Sequence, residues 1–305
     1  MSQVTNTAPW HNTGHAITSD RKGFQIPQEL NFEIEARPVY VEQNGEFIPM
    51  AKNRVLTRTD TNQALGIIGN SYHPYTNPQM WDIISQYCKQ TGGTLDKAGQ
   101  YNNGEFVWAT VRHDDYEIVS GDPITKYDMF INPFTNGRTF TLINTDLRIV
   151  CGNALSSALA NNDGVYRIRH SRTIADRVQI AAEASAAAVA VRSHNVEFLQ
   201  ALTKVRVNDT QIAAFTQSMF KHGENSNRRV LDRVDIFNGL VEIGMGSDLK
   251  GVRGTAYGLY QAAIEFADHH IAVRGNGQNQ LNSALSGSIA IFKNKATKLI
   301  SEFVA

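Results

Sequence analysis

The sequence lacks the features that mark several common classes of protein. It has only two cysteines, Cys88 and Cys151, among 305 residues. They form no CxxC motif and have no paired histidines nearby, which argues against a zinc site and favours a reducing compartment. No apolar stretch approaches the ~20 residues that cross a membrane. The first residues, MSQVTNTAPWHNTGH, lack the basic and apolar regions of a secretory signal. We therefore expect a cytoplasmic protein with no membrane partner.

The chain also lacks net charge, but the balance is uneven along its length. Residues 1–164 hold 12 Lys and Arg against 17 Asp and Glu, whereas residues 165–233 hold 11 against 6. The remaining residues, 234–305, hold 6 of each sign. A neutral total therefore conceals a basic middle segment, which is typical either of an anion-binding surface or of a solvated helical face.

The first half of the sequence reads as β-rich. Two β-prone runs flank Asn44-Gly45, a pair suited to a type I′ turn. A second pair of strands is predicted around Asp60-Thr61-Asn62, and NPQMWDIISQYCKQ predicts a helix with Asn77 as N-cap and Pro78 at its first position. The runs EFVWATVR, TKYDMFIN and GRTFTLIN predict further strands, while HDDYE most resembles a polar loop between strands.

The stretch RIVCGNALSSAL, residues 148–159, has apolar residues at helical spacing, so it predicts a buried helix. Its proposed buried stripe comprises Leu147, Val150, Cys151, Ala154, Leu155 and Ala158. The following VYRIRH reads as a strand with Tyr166, Ile168 and His170 on one side and Arg167 and Arg169 on the other.

From about residue 172 onward, helical patterns replace strand patterns. An alanine-rich segment, AAEASAAAVAV, fits a long helix packed tightly on small side chains, against another helix or another subunit. Helices are also predicted after the cap at Asn208 or Asp209 and from about Thr255. We predict an α+β fold, with an antiparallel β-sheet and packed helices in the first half and a mostly helical second half. Residues 1–170 would form the β-rich α+β core and residues 171–305 a helical region packed on it, as two domains or one.

The motifs of common enzymes and cofactor sites are absent. GMGSDLKGVRG, residues 244–254, lacks the Walker and dinucleotide patterns, and its composition favours a flexible loop. The alternative is a phosphate site formed by its backbone amides at the start of the following helix, with Lys250 and Arg253 nearby. The histidines have no HExxH spacing, and no serine lies in a GxSxG context. We therefore predict no catalytic residues, no metal, no cofactor and no enzymatic activity.

The densest group of cations is the candidate nucleic-acid site. Positive side chains spaced along a surface suit phosphates, and an aromatic ring suits an unstacked base. The candidate residues are Arg148, Tyr166, Arg167, Arg169, Arg172, Arg177, Arg228 and Arg229.

Several segments together resemble a known family. PWHNTGHAI, NRVLTRTDTNQALGIIGNSYHPYTN, RIVCGNAL and GTAYGLYQAAIEFADHH are similar to the phage/plasmid-like proteins grouped as domain of unknown function 932. The resemblance runs over roughly residues 9 to 300, and Ala154 stands where the family often has threonine. It implies a setting among mobile elements and their replication and recombination genes but supplies no catalytic residues. A β-hairpin sheet followed by a helix is also similar, by analogy of fold, to phage single-strand annealing proteins.

These observations lead to two main hypotheses. The first is a phage- or plasmid-encoded protein that binds single-stranded DNA, promotes strand annealing or recombination, and forms a homo-oligomer. The alternative is a non-enzymatic protein-interaction or host-takeover factor. An enzyme with a site assembled from scattered residues ranks third.

Overall fold

The computed structural model describes residues 14–20, 23–121, 123–148, 153–156, 165–191, 193–223, 225–273, 283 and 287–303. The strands are β1 (His15–Ala16), β2 (Ser19–Asp20), β3 (Gly23–Phe24), β4 (Ile34–Gln43), β5 (Glu46–Arg58), β6 (Ala64–Gly69), β7 (Thr94–Tyr101), β8 (Phe106–Glu117), β9 (Pro123–Pro133), β10 (Thr139–Arg148), β11 (Asn153–Ser156) and β12 (Val165–Arg169). The helices are α1 (Asn77–Thr91), α2 (Ile174–Val191), α3 (Ser193–Lys204), α4 (Asp209–Phe220), α5 (Arg228–Ile243), α6 (Ala256–His269) and α7 (Ser288–Ser301). The predicted α+β fold, with most strands in the first half and most helices in the second, is confirmed.

Seven strands of the described residues form the main sheet, which is antiparallel. Its order is β1-β7-β8-β9-β10-β11, and β12 also pairs with β10. Strand β12 lies opposite residues 139–143 of β10, and β11 lies opposite residues 145–148. The two short strands therefore follow one another along β10, and β12 leads directly into α2.

A separate three-stranded sheet, β4-β5-β6, contains both hairpins that the sequence predicted. Asn44 and Gly45 have φ values of 55° and 83°, as a type I′ turn requires, and Asn62 has a φ of 56°. Arg58, buried at the end of β5, donates to both carboxylate oxygens of Asp60 at 2.9 and 2.7 Å. It also donates to Gln100 Oε1 of β7 at 2.9 Å, so it joins the small sheet to the main one.

The first hydrophobic core lies between the main sheet, the small sheet and helices α1 and α2. Helix α1 starts one residue earlier than predicted, because Thr76 is its N-cap and forms a reciprocal capping box with Gln79. Asn77 is buried instead and donates to the carbonyl of Phe32 at 3.1 Å. The alanine-rich face of α2 contributes Ala181 and Ala182 to this core, as the small-residue pattern predicted.

The prediction of a helix over RIVCGNALSSAL is wrong. Strand β10 continues to Arg148, and β11 pairs back onto it with Arg148 opposite Asn153. A short apolar run is compatible with either a helix or a strand. Pairing with β9 decides for the strand, because Leu147 and Arg148 extend the β9–β10 ladder opposite Thr125 and Ile124. Val150 and Cys151, with the side chains of the remaining predicted stripe, lie outside what the structure describes.

The segment HDDYE is not the predicted loop but the end of β8. The ladder between β8 and β9 shifts register between Arg112 and Asp115, which leaves His113 buried and Asp114 exposed. The sequence signal was obscured because a bulge interrupts the alternation of apolar and polar residues.

The second hydrophobic core lies around α6, every residue of which is buried from Ala256 to Asp268. Helices α3, α4, α5 and α7 supply most of the rest, together with Ile118 just after β8, Ile124 of β9 and Val252 before α6. Asn208 caps α4 through a capping box with Gln211, which confirms one of the two predicted caps. GMGSDLKGVRG forms turns before α6, and Thr255 caps that helix.

Candidate nucleic-acid interface

Strand β12 presents its arginines to solvent as the alternation predicted. Arg167 and Arg169 are exposed, whereas Ile168 and His170 are buried. Tyr166 is half-buried and packs against the first core, so it lies on the opposite side of the strand from the two arginines. The structure therefore brings the cations together without bringing Tyr166 onto their face.

Two further exposed arginines follow β12 along the chain, at the start of α2, which packs on the Tyr166 side of the strand. Arg172 lies in the turn that joins β12 to α2, where Ile174 N donates to Ser171 O at 2.9 Å, and Arg177 lies on the first turns of the helix. Both side chains are exposed. We call Arg138, Arg167, Arg169, Arg172 and Arg177 the β12–α2 surface.

Arg138 belongs to this surface although sequence reasoning missed it. It immediately precedes Thr139, which pairs with Arg169 at the start of β10, and its side chain is exposed. Arg138 belongs to the acidic first half of the sequence and is far from Arg167 and Arg169 along the chain. Only the pairing of β10 with β12 shows that it lies next to them in the fold. Among the described residues, none of the five arginines forms an ion pair.

The remaining predicted cations lie elsewhere. Arg148 is seven residues along β10 from Thr141, the partner of Arg167, and hence about 23 Å away. Arg228 and Arg229 lie at the start of α5 in the helical region, and Arg228 pairs with Asp232 at 2.7 Å. The eight predicted residues therefore do not form one continuous surface.

The helical region contains a cleft that includes Arg229. It has a volume of about 730 Å³ and lies between the end of α4, the start of α5, the segment after α6 and the start of α7. Its lining residues are Met219, Phe220, Arg229, Asp232, Arg233, His270, Ile271, Ala272, Ser288, Ile291, Phe292 and Lys295. We call it the α5–α7 cleft.

Two cations of this cleft are held by the protein itself. The Arg233 guanidinium lies 5.5 Å from the ring centre of Phe220 and 5.4 Å from that of Phe266. Lys295 Nζ donates to the carbonyl oxygens of Ser218 and Met219 at the end of α4. Partial burial, and secondarily the nearby Lys221, lowers the pKa of Lys295 from its usual range.

The glycine-rich segment before α6 binds a carboxylate of its own chain. Met245 N and Gly246 N donate to the carboxylate oxygens of the buried Glu265 at 3.2 and 2.7 Å. Arg253 faces Asp248 at 3.3 Å. These two amides are therefore occupied by Glu265 and are not free to hold a phosphate. Lys250 and Arg253 are both exposed, but only Arg253 forms ion pairs with described residues.

A buried polar network in the first core was also missed. Asp128 accepts hydrogen bonds from Tyr87 Oη at 2.6 Å and from Asn144 Nδ2, and its Oδ2 lies 2.6 Å from His113 Nε2. Ser185 Oγ lies 3.1 Å from Tyr87 Oη and 3.0 Å from Asn144 Nδ2. We call these five residues the Asp128 network. Because all five are buried, the network is placed to fix the packing of the sheet against α1 and α2.

Few of the described side chains are suited to act as a nucleophile or as a metal ligand. Burial raises the pKa of the Cys88 thiol to about 12, so at neutral pH the group is not a thiolate. No group of three His, Cys, Asp or Glu side chains suited to a metal occurs within the described part of the chain. Among the described helices, none has the length and apolar character needed to cross a membrane.

The family model for a domain of unknown function, DUF932, matches residues 64–286. The chain belongs to this family. The match begins at β6 and includes both the β12–α2 surface and most of the helical region. No curated protein and no solved structure matches the chain.

Proposed function

We propose that this DUF932 protein binds single-stranded DNA through the β12–α2 surface. The proposal is supported by five exposed arginines that lie close together along the chain and the β10–β12 ladder, from the β9–β10 turn to the start of α2, and that form no ion pair among the described residues. Cations without carboxylate partners keep their charge available for phosphates, and each contact releases condensed counterions.

The shape of this surface favours a flexible single strand. It consists of one strand, two turns and the start of a helix, and Arg167 and Arg169 lie two residues apart on β12. Such a surface can follow a phosphate backbone, but it offers no projecting helix to enter a major groove. The role that follows is sequence-independent binding, in a phage or plasmid setting and in the host cytoplasm, as an annealing or recombination protein without enzymatic activity.

The test reverses two charges on the surface and the same number elsewhere. The double variant Arg167→Glu and Arg169→Glu should weaken binding to an oligothymidine. The negative slope of log affinity against log salt should also become shallower by about 1.4, since two cations are lost. A matched control is Lys52→Glu with Arg54→Glu, because both side chains are exposed on β5 and the change in net charge is the same. The control should bind like the parent. Equal binding by the β12–α2 variant and the parent would refute the proposal.

A second candidate function, protein interaction or self-assembly, rests on the hairpin formed by β4 and β5. Its outer part carries exposed apolar side chains, among them Tyr40 (54%) and Phe47 (73%). Strand β6 pairs only with residues 53–57 of β5, so within the described part of the chain the outer ribbon has two strands and no covering layer. Phe47→Ser should reduce the sedimentation coefficient if the hairpin mediates a homo-oligomer. An unchanged coefficient would remove this support for assembly.

A further inference from the structure

The α5–α7 cleft carries more positive charge than its neighbouring carboxylates balance. Arg229, Arg233 and Lys295 line it, and the carboxylate in its lining, Asp232, already pairs with Arg228. Neither Arg229 nor Arg233 forms an ion pair with a described residue. The cleft is therefore a region of positive potential with room for an anion.

The position of Arg229 strengthens this potential. It is the second residue of α5, and the first turn of that helix has no acidic residue. Backbone amides give a helix N-terminus a partial positive charge, so a cation there is unfavourable unless an anion accompanies it. Ser288, the first residue of α7, lies at the same cleft, and the first turn of α7 is also without an acidic residue.

The wall beside these cations is aromatic and apolar. Phe220 and Phe292 line the cleft with ring centres 5.6 Å apart, and Phe266 lies behind them. The Arg233 guanidinium over Phe220 and Phe266 adds a planar cation to this wall. Ile291 also lines the cleft and is 67% exposed, so the apolar wall extends to the rim.

We propose that the α5–α7 cleft binds a small ligand that joins a planar ring to a phosphate, as a nucleoside monophosphate does. The phosphate lies against Arg229, with Arg233 and Lys295 adding charge, and the ring packs on Phe220 and Phe292. A volume of about 730 Å³ falls within the range of small-molecule sites, and an apolar wall with a few placed cations is their usual composition. This site is separate from the β12–α2 surface and does not depend on its function.

The test measures binding of AMP, adenosine and ribose 5-phosphate to the full chain by equilibrium dialysis. AMP should bind at least tenfold more tightly than either of the other two, because only AMP has both the ring and the phosphate. Arg229→Gln should weaken AMP binding about 10- to 100-fold, as expected when a charged hydrogen bond is lost. Arg253→Gln is the matched control, since this exposed arginine already faces Asp248 and Glu242, and it should bind AMP like the parent.

Three results would each overturn the proposal. They are undetectable AMP binding at millimolar concentration, equal binding of AMP and ribose 5-phosphate, and parental AMP binding by Arg229→Gln. Arg167→Glu with Arg169→Glu should leave AMP binding unchanged whether or not it reduces oligothymidine binding. The two proposals can therefore fail separately.

Discussion

The two hydrophobic cores of this chain are organised differently. In the first, the Asp128 network joins β8, β9, β10, α1 and α2 through side chains that lie up to 98 residues apart in sequence. In the second, five phenylalanine rings pack around α6 with centre-to-centre distances of 5.1 to 6.3 Å; they are Phe215, Phe220, Phe237, Phe266 and Phe292.

This difference shows two ways of specifying a packed interior. Asp128 and Asn144 are direct cross-strand partners in the β9–β10 ladder, so their hydrogen bond forms in one register only. Aromatic packing is less directional, and a core of rings tolerates hydrophobic exchanges of similar volume. The sheet region should therefore be sensitive to loss of polar atoms, and the helical region to loss of volume.

The largest effect should come from removing the centre of the polar network. Asp128→Ala leaves Tyr87, His113 and Asn144 buried without their shared acceptor, so we expect a loss of about 3–5 kcal/mol in the free energy of unfolding. Ser185→Ala is the control, because it removes one neutral hydroxyl and should cost about 1 kcal/mol. Urea denaturation measures both. Similar losses for the two variants would show that Asp128 does not hold the network together.

The next largest effect concerns pH and His170. This side chain is buried at the end of β12, and its ring stacks on Tyr72 with centres 4.6 Å apart. Burial lowers the pKa of its imidazole to about 4, and an interaction with the backbone of His73 partly opposes this shift. In the unfolded chain the pKa of a histidine is near 6.5, so the unfolded chain takes up a proton between pH 6.5 and pH 4 that the folded chain does not. The free energy of unfolding is therefore highest above pH 6.5 and falls by roughly 3 kcal/mol as the pH drops toward 4.

His170→Phe removes this proton uptake while keeping a ring beside Tyr72. The stability of the variant should fall less than that of the parent between pH 7 and pH 4, as thermal melts at each pH would show. His270→Phe is the counterpart in the helical region. Partial burial and the nearby His269 lower the pKa of His270, but the residue is exposed, so its variant should follow the parent more closely. Parallel curves of stability against pH for the parent and His170→Phe would show that protonation of His170 is not the cause of the loss of stability at low pH.

Much of the fold could be predicted from the sequence, whereas the contrast between the two cores could not, for a physical reason. Local signals sufficed where a pattern acts over a few residues, as in the Asn44-Gly45 turn, the cap at Asn208 and the outward arginines of β12. The Asp128 network could not be found in this way, because its members become neighbours only when strands pair and helices pack. The bulge before Asp115 also concealed His113 within an apparent loop.

The candidate site shows the same limit. Arg167, Arg169, Arg172 and Arg177 are close in sequence, so composition alone found them. Arg138 joins them through strand pairing, while Arg148 is carried away by the length of β10. The helix predicted over residues 148–159 failed because a short apolar run is compatible with either a helix or a strand, and the partner strand decides between them.

A moderate effect should follow from a substitution in the aromatic core. Phe237→Leu keeps an apolar side chain of reduced volume beside Phe215, Phe220 and Phe266, so we expect a loss below about 1.5 kcal/mol. Phe237→Ala, which leaves a larger cavity, should cost about 3–5 kcal/mol. Chemical denaturation of the pair tests whether volume controls this core. Equal losses would mean that the rings are held by specific geometry, as the polar network is.

The smallest effect should come from Arg228 at the surface of the helical region. Its guanidinium pairs with Asp232 one turn along α5, a contact worth about 0.3–0.5 kcal/mol on an exposed helix. As the first residue of α5, however, Arg228 also lies at the positive end of the helix, where a cation costs about 0.3–1 kcal/mol. The two terms oppose each other, so Arg228→Ala should change the free energy of unfolding by less than about 0.5 kcal/mol. Both terms are screened by salt, and the change should therefore remain small from low to high ionic strength. A loss above 1 kcal/mol in urea denaturation would show that Arg228 has a structural role beyond its pair with Asp232. The helical region would then depend on a polar side chain, as the sheet region depends on the Asp128 network.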